Sequence, residues 1–189
     1  ILSAALLGES LKLSPSPQLG QYYMVPFNDK KRGTKVAQFQ LGYKGYIQMA
    51  IRSGQYKKLN VLAIKKGELI SYDPLDEEIN VALISDEDQR ERTETIGYYA
   101  MFELINGYRK AMYWSREKMM AHADKYSAAF SANKYRDLIA GKIPQSEMWK
   151  YSSFWYKDFD GMAYKTMLRQ LISKWGVMSI DLQTALNKD

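Results

Sequence analysis

The chain has 189 residues, and 27 lysines and arginines against 21 aspartates and glutamates give a net charge of +6, a balance that favours a polyanionic partner. It contains no cysteine and one histidine, His122, which excludes disulfides and thiolate metal sites and leaves almost nothing from which to build a zinc site or a histidine-activated nucleophile. No apolar run approaches the roughly 20 residues that span a bilayer, so a soluble protein is expected, a single domain over 1–189. The chain begins Ile1-Leu2 without a methionine and stops at Asp189 within polar sequence, as a piece of a longer protein would.

Residues 1–20, with Pro15, Pro17 and Gly20, read as a loop or a short leading helix. YYMVPF (22–27) and TKVAQFQL (34–41) are predicted strands around NDKKRG, where Asn28, Asp29 and Gly33 supply turn chemistry. The tip of that hairpin is basic at Lys30, Lys31 and Arg32, either a solubilising tip or a finger that touches DNA. LGYKGYIQMAIRSG (41–54) is predicted helical and ends at Gly54, a left-handed cap. Leu41, Ile47, Ala50 and Ile51 share one side, while Lys44, Gln48 and Arg52 recur every fourth residue on another. No acidic residue lies in 41–58, so these cations must turn to solvent, another segment or an anionic ligand.

LNVLAIKKGELISYD (59–73) is predicted as a hairpin turning near Lys66-Gly67, and INVALIS (79–85) as a strand after the acidic loop DPLDEE. Residues 85–94, SDEDQRERTE, read as an exposed charged turn. TIGYYAMFELINGYRKAMYWS (95–115) is predicted as a hairpin, with Asn106-Gly107 in a type I′ turn and the cations Arg109 and Lys110 just beyond it. Residues 115–130 are predicted helical, with Ser115 as N-cap and His122 as an ordinary helix residue; a loop with one short helix closed at Gly141 follows.

The last predicted element is a helix over 157–176. Asp158 or Asp160 caps it, Met162, Met167, Leu168, Leu171, Ile172 and Trp175 form its apolar side, and Gly176 ends it. Lys165, Arg169 and Lys174 make a second basic set, with no acidic residue between Asp160 and Asp181. The fold class is therefore α+β, an antiparallel β-hairpin sheet packed against helices. Two basic helix faces packed on one sheet would line a groove suited to a sugar-phosphate backbone.

Other chemistries fit worse. GMAYKT (161–166) ends like a phosphate-binding loop, but Tyr164 stands where glycine should precede Lys165. Gly42 and Gly45 lack the third glycine and the acidic residue of a dinucleotide site. Asp158 and Asp160 would hold magnesium in a nuclease, yet two aspartates at a helix start are more simply caps. The remaining alternative is a structural self-assembling protein whose basic faces meet the acidic segments 73–78 and 86–94 of neighbouring copies.

Two segments resemble a known family. LGYKGYIQMAIRSGQY (41–56) and SSFWYKDFDGMAYKTMLRQLISKWG (152–176), in this order around a β-rich stretch and preceded by PQLGQYYMVPF (17–27), are similar to the RecT family of phage and prophage single-strand annealing recombinases. The resemblance implies a non-enzymatic protein of the bacterial cytoplasm. It would bind single-stranded DNA left by a partner exonuclease, assemble into homo-oligomeric rings or helical filaments, and anneal complementary strands without ATP. It implies no required cofactor, although magnesium remains possible, and a core distantly like those of the lambda Red beta and eukaryotic annealing proteins. Recruitment of the exonuclease or of the host single-strand binding protein would fall to a C-terminal region beyond this chain. Because annealing tests base pairing, the expected contacts are backbone contacts from Lys44, Gln48, Arg52, Arg109, Lys110, Lys165, Arg169 and Lys174. Tyr43, Tyr46 and Trp155 would stack on or space the bases.

Overall fold

The computed structural model describes residues 1–29, 31, 33–177, 183, 184 and 187. Its elements are α1 (Leu2–Ser10), β1 (Tyr22–Asp29), β2 (Thr34–Leu41), α2 (Tyr43–Ser53), β3 (Tyr56–Lys65), β4 (Leu69–Asp73) and β5 (Glu78–Val81). They are followed by α3 (Glu87–Arg92), β6 (Thr95–Leu104), β7 (Arg109–Ser115), α4 (Arg116–Tyr126), α5 (Ala132–Ile139), α6 (Phe154–Lys157) and α7 (Phe159–Trp175). The fold is α+β. The chain forms two compact units, the first of residues 1–59, 101–110 and 168–189, the second of 60–100 and 111–167.

In the first unit β1 and β2 pair antiparallel from Tyr22 opposite Leu41 to Asp29 opposite Thr34. Tyr22 and Phe39 are buried and their rings stack 5.0 Å apart. Helix α1 lies on this hairpin, and Gly8 permits it, because a Cβ there would overlap the Tyr22 ring. The start of α2 is set the same way. The Gly42 amide donates to the Gln21 carbonyl at 2.9 Å, and side chains at Gly42 or Gly45 would strike the carbonyl oxygens of Gly20 and Gln21.

That close approach decides which side of α2 is inside. Gly45, Tyr46, Met49 and Ala50 are buried, whereas Ile47 is half-buried and Ile51 is 62% exposed. The apolar side expected from Leu41, Ile47, Ala50 and Ile51 is thus corrected by a rotation toward the two glycines: backbone contact, not side-chain hydropathy, orients the first turn. Gly54 ends α2 with φ of 67°, the left-handed cap its position predicts.

β3, β6 and β7 form a sheet in that order, while β4 and β5 pair separately as an antiparallel hairpin. The hairpin expected over 59–73 is therefore overturned. The chain does turn at Gly67, φ 89°, but β3 takes β6 as its neighbour and β4 takes β5. The cause lies at Glu68, which is fully buried and whose carboxylate accepts from the amides of Lys65 and Ile84 and from Arg90 of α3. This anchor turns the chain away from β3. It also makes 87–92 a helix rather than an exposed turn, with the Asp86 side chain capping the Gln89 amide at 3.0 Å.

The β6–β7 hairpin forms where Asn106-Gly107 predicts it, but by another turn. The Gly107 amide donates to Leu104 O and the Leu104 amide to Tyr108 O, with Gly107 at φ 86°. Asn106 does not share the positive φ a type I′ turn requires at both central positions. This is a three-residue loop with a left-handed glycine bulge, and the Asn106 side chain accepts from the Tyr108 amide.

In the second unit Ser115 caps α4 by accepting from the Lys118 amide at 3.2 Å, as its sequence position predicts. Phe130, Tyr135, Trp155 and Phe159 pack as a cluster of tilted and edge-on rings in which Tyr135 and Phe159 stack. The predicted terminal helix forms as α7, and the single turn of α6 precedes it. Asp158 sits between them and caps α7 through the Gly161 amide at 2.9 Å.

Candidate nucleic-acid interface

The α2 stripe is built as its spacing demands. Lys44 and Gln48 are exposed one turn apart, on the side opposite Tyr46 and Met49, and the Lys44 stem runs beside Gly20. Arg52 continues the stripe but is committed elsewhere, since its guanidinium donates to the carbonyls of Leu11 at 2.7 Å and Lys12 at 3.3 Å. Those carbonyls follow α1, where Lys12 adopts a left-handed φ of 53°. Arg52 thus satisfies a helix end that has run out of its own donors. Of the three destinations open to this cation, it has taken another segment of its own chain.

A second basic cluster gathers at strand and helix ends of the first unit. Lys57 Nζ is paired with the Glu103 carboxylate at 2.5 Å, and Lys58 Nζ lies 3.8 Å from its other oxygen. The Lys57 hydrogen bond, with the charges of Lys57, Lys58 and Arg109, holds the Glu103 carboxyl below its ordinary range. The Glu103 carboxylate thus lies in the field of three cations. Lys110 adds a further charge, its Nζ 4.0 Å from the ring centroid of Trp175, itself half exposed, with exposed Lys174 on the same last turn of α7. Behind them Tyr56 packs edge-on against Phe102 and donates its hydroxyl to Val177 O at 3.0 Å; burial pushes this phenol up to about 12, against the lowering effect of that bond.

This region contains two of the cations singled out in the sequence, Arg109 and Lys110, with Lys174 next to Trp175 in the chain, and adds Lys57, Lys58 and Trp175. The signal for the lysines was the YKK run directly after the α2 cap. The pairing of β3 with β6 turns that run into part of a site. Lys165 and Arg169 are half-buried and each engages another protein group. Lys165 belongs to the second unit and Arg169 to the first.

The aromatic assignments need correction. Tyr46 is fully buried in α2 and Trp155 is 6% exposed within the ring cluster of the second unit. A ring packed on both sides has no face to offer a base, so both are core residues; Tyr43 is half-buried. Of the hairpin tip, Lys31 is exposed, its amide donating to the Asp29 carboxylate, and Lys30 and Arg32 lie outside the described residues.

The aspartates considered for a metal are occupied by protein donors. Asp158 is the α7 cap, and Asp160 accepts from the Tyr98 hydroxyl at 2.6 Å and from Thr95 Oγ1 at 3.2 Å. Burial first, then the Asp160 charge, drive the Tyr98 phenol far above its ordinary value, so it remains a proton donor to that carboxylate. Among the described residues no group of three acidic or histidine side chains converges to hold a metal ion. Among the same residues no helix is long and apolar enough to cross a membrane.

The family model of the RecT family matches residues 1–189. The chain is 39% identical over 186 residues to the uncharacterized protein YqaK of Bacillus subtilis (strain 168), covering 98% of this chain and 54% of that one. It is 29% identical over 191 residues to protein RecT of Escherichia coli (strain K12), covering 100% of this chain and 61% of that one. The chain thus spans somewhat over half the length of these curated relatives. With a match along its whole length, the chain belongs to the RecT family.

Proposed function

We propose that this chain binds single-stranded DNA through its sugar-phosphate backbone and anneals complementary strands in recombination, without ATP and as a homo-oligomer in ring or filament form. The observation that carries the reading is the basic cluster of Lys57, Lys58, Arg109, Lys110 and Lys174 around the half-exposed Trp175. Lys44 and Gln48 supply a second set of donors on α2 of the same unit. Family membership supports the recombination role.

The chemistry needed is binding rather than bond making. Each cation that meets a phosphate releases a condensed counterion, so affinity comes from charge and falls with salt. Such contacts read no sequence and leave base edges open to test a second strand. One exposed indole under a lysine is sequence-tolerant in the same way, because every base has a π face. No cofactor is required by this scheme, and magnesium would enter only as a competing or bridging counterion. The exonuclease and the host single-strand binding protein are partners to be met through sequence outside this chain, in the bacterial cytoplasm.

The test is annealing of two complementary oligonucleotides, one quenching the other's fluorophore, with neither ATP nor magnesium, followed by electron microscopy of the product. Quenching faster than in protein-free controls, with ordered assemblies on the strands, is the expected result. Assemblies that form equally without DNA and leave annealing at the control rate would favour a structural self-assembling protein. Magnesium-dependent loss of labelled strand would favour a nuclease.

A further inference from the structure

The second unit carries a row of aromatic and cationic side chains that none of the contacts above uses. Trp114 stands near the end of β7, and Lys118, His122 and Tyr126 follow at four-residue spacing on α4, so they share one side of that helix. Ring centroids lie 5.3 Å apart between Trp114 and His122 and 4.6 Å between His122 and Tyr126. Lys118 Nζ lies 4.7 Å from the Trp114 centroid, and Lys125 Nζ 5.2 Å from that of Tyr126.

Two features separate this row from core packing and from an ordinary wet face. Tyr126, at its outer end, is 67% exposed, although a ring is among the most favourable groups to bury. The acids of α4 are turned elsewhere: Asp124 accepts from the Ala132 amide at 2.7 Å, and Glu117 lies near enough to Tyr113 to add to the upward shift that burial gives that phenol. The row therefore presents π faces and positive charge without a neutralising carboxylate among its members.

We propose that Trp114, His122 and Tyr126, with Lys118 and Lys125, form a base-stacking platform for single-stranded nucleic acid. The three rings are mutually tilted, at 58° and 44°, so a base lies against the exposed Tyr126 ring and not on a continuous stack, while the two lysines meet neighbouring phosphates. The platform rests on the single-strand reading above and adds to it a place where base faces are held. Stacking leaves the Watson-Crick edges exposed, as annealing demands.

The test compares the full chain with its Tyr126→Ala, Tyr126→Leu and Tyr126→Phe variants by fluorescence anisotropy on two labelled single strands of equal length, one of mixed sequence and one largely abasic. Loss of one stacked base by alanine substitution weakens binding roughly tenfold. The platform predicts that loss for Tyr126→Ala and Tyr126→Leu on the base-containing strand, near-parental binding for Tyr126→Phe, and unchanged affinity of all variants for the abasic strand. Equal losses on both strands, equal losses for Phe and Ala, or parental affinity of Tyr126→Ala would each overturn it, the last being the result if this face serves a protein partner. Failure of the parent chain to bind either strand would instead overturn the single-strand reading itself, so the two outcomes are distinct.

Discussion

Glu68 shows how one side chain can organise a region. It is fully buried, yet every strong contact of its carboxylate is made within the second unit, to Arg90 at 2.6 and 3.1 Å and to the Lys65 and Ile84 amides. Burial by itself would raise this carboxyl; the bonds from Arg90 and the two amides outweigh it and hold the group below its ordinary value. A carboxyl depressed in the folded state contributes stability above its unfolded value and loses it as pH falls through the folded one. Glu68→Gln should therefore cost about 3 kcal/mol at neutral pH, the lower end for breaking a buried pair, because Arg90 keeps some water and its bond to Ala63 O. Chemical denaturation across pH would show the gap between parent and variant narrowing in acid. A gap that widened in acid would mean the carboxyl is not depressed.

At the scale of elements, α7 separates stability from binding by face. Leu168, Leu171 and Ile172 are fully buried, whereas Lys174 and Trp175 stand outward on its last turn. Leu168→Ala or Leu171→Ala should cost about 2 to 5 kcal/mol each through reduced burial and the cavity left behind. Lys174→Ala should leave the thermal transition within about half a kcal/mol of the parent, as exposed substitutions do. Calorimetry on the three variants decides the matter, and similar melting of all three would mean the faces are misassigned. Helix α2 carries the complementary lesson, because Arg52 lies on the wet stripe and yet holds the carbonyls beyond α1. A basic stripe is not uniform in use even when its spacing is.

For the whole molecule the relevant quantity is the salt dependence of binding. If the cluster at the strand ends carries phosphate, Lys57→Ala combined with Lys110→Ala should flatten the slope of log affinity against log salt by about 0.7 for each single-strand phosphate that is no longer neutralised. Anisotropy titrations between low and moderate salt measure this directly. A parental slope with weakened affinity would assign these lysines to subunit packing and shift the DNA path toward Lys44 and Gln48. The comparison is informative because Lys57 is already paired with Glu103: an anion that displaced the carboxylate would free Glu103 to repel it, while Lys58 and Arg109 compensate.

What the sequence by itself determined is local: the charge balance, the glycine caps at Gly54 and Gly141, the Ser115 cap, an aspartate cap at 158 or 160, and the position of the β6–β7 turn at Asn106-Gly107. Each depends on a residue and neighbours within four positions, where backbone sterics and capping bonds act alone. The family was legible for a related reason, since two motifs read in order carry it. Tertiary structure decided what depends on distant partners. It paired β3 with β6 instead of β4, because buried Glu68 redirects the chain. It put Tyr46 and Trp155 in cores, took Arg52 for the end of α1, and left Tyr126 and Trp175 in solvent. Helical spacing says which residues share a side; only packing says which side is covered, because burial is a property of surfaces that meet and not of the strip of chain that bears them.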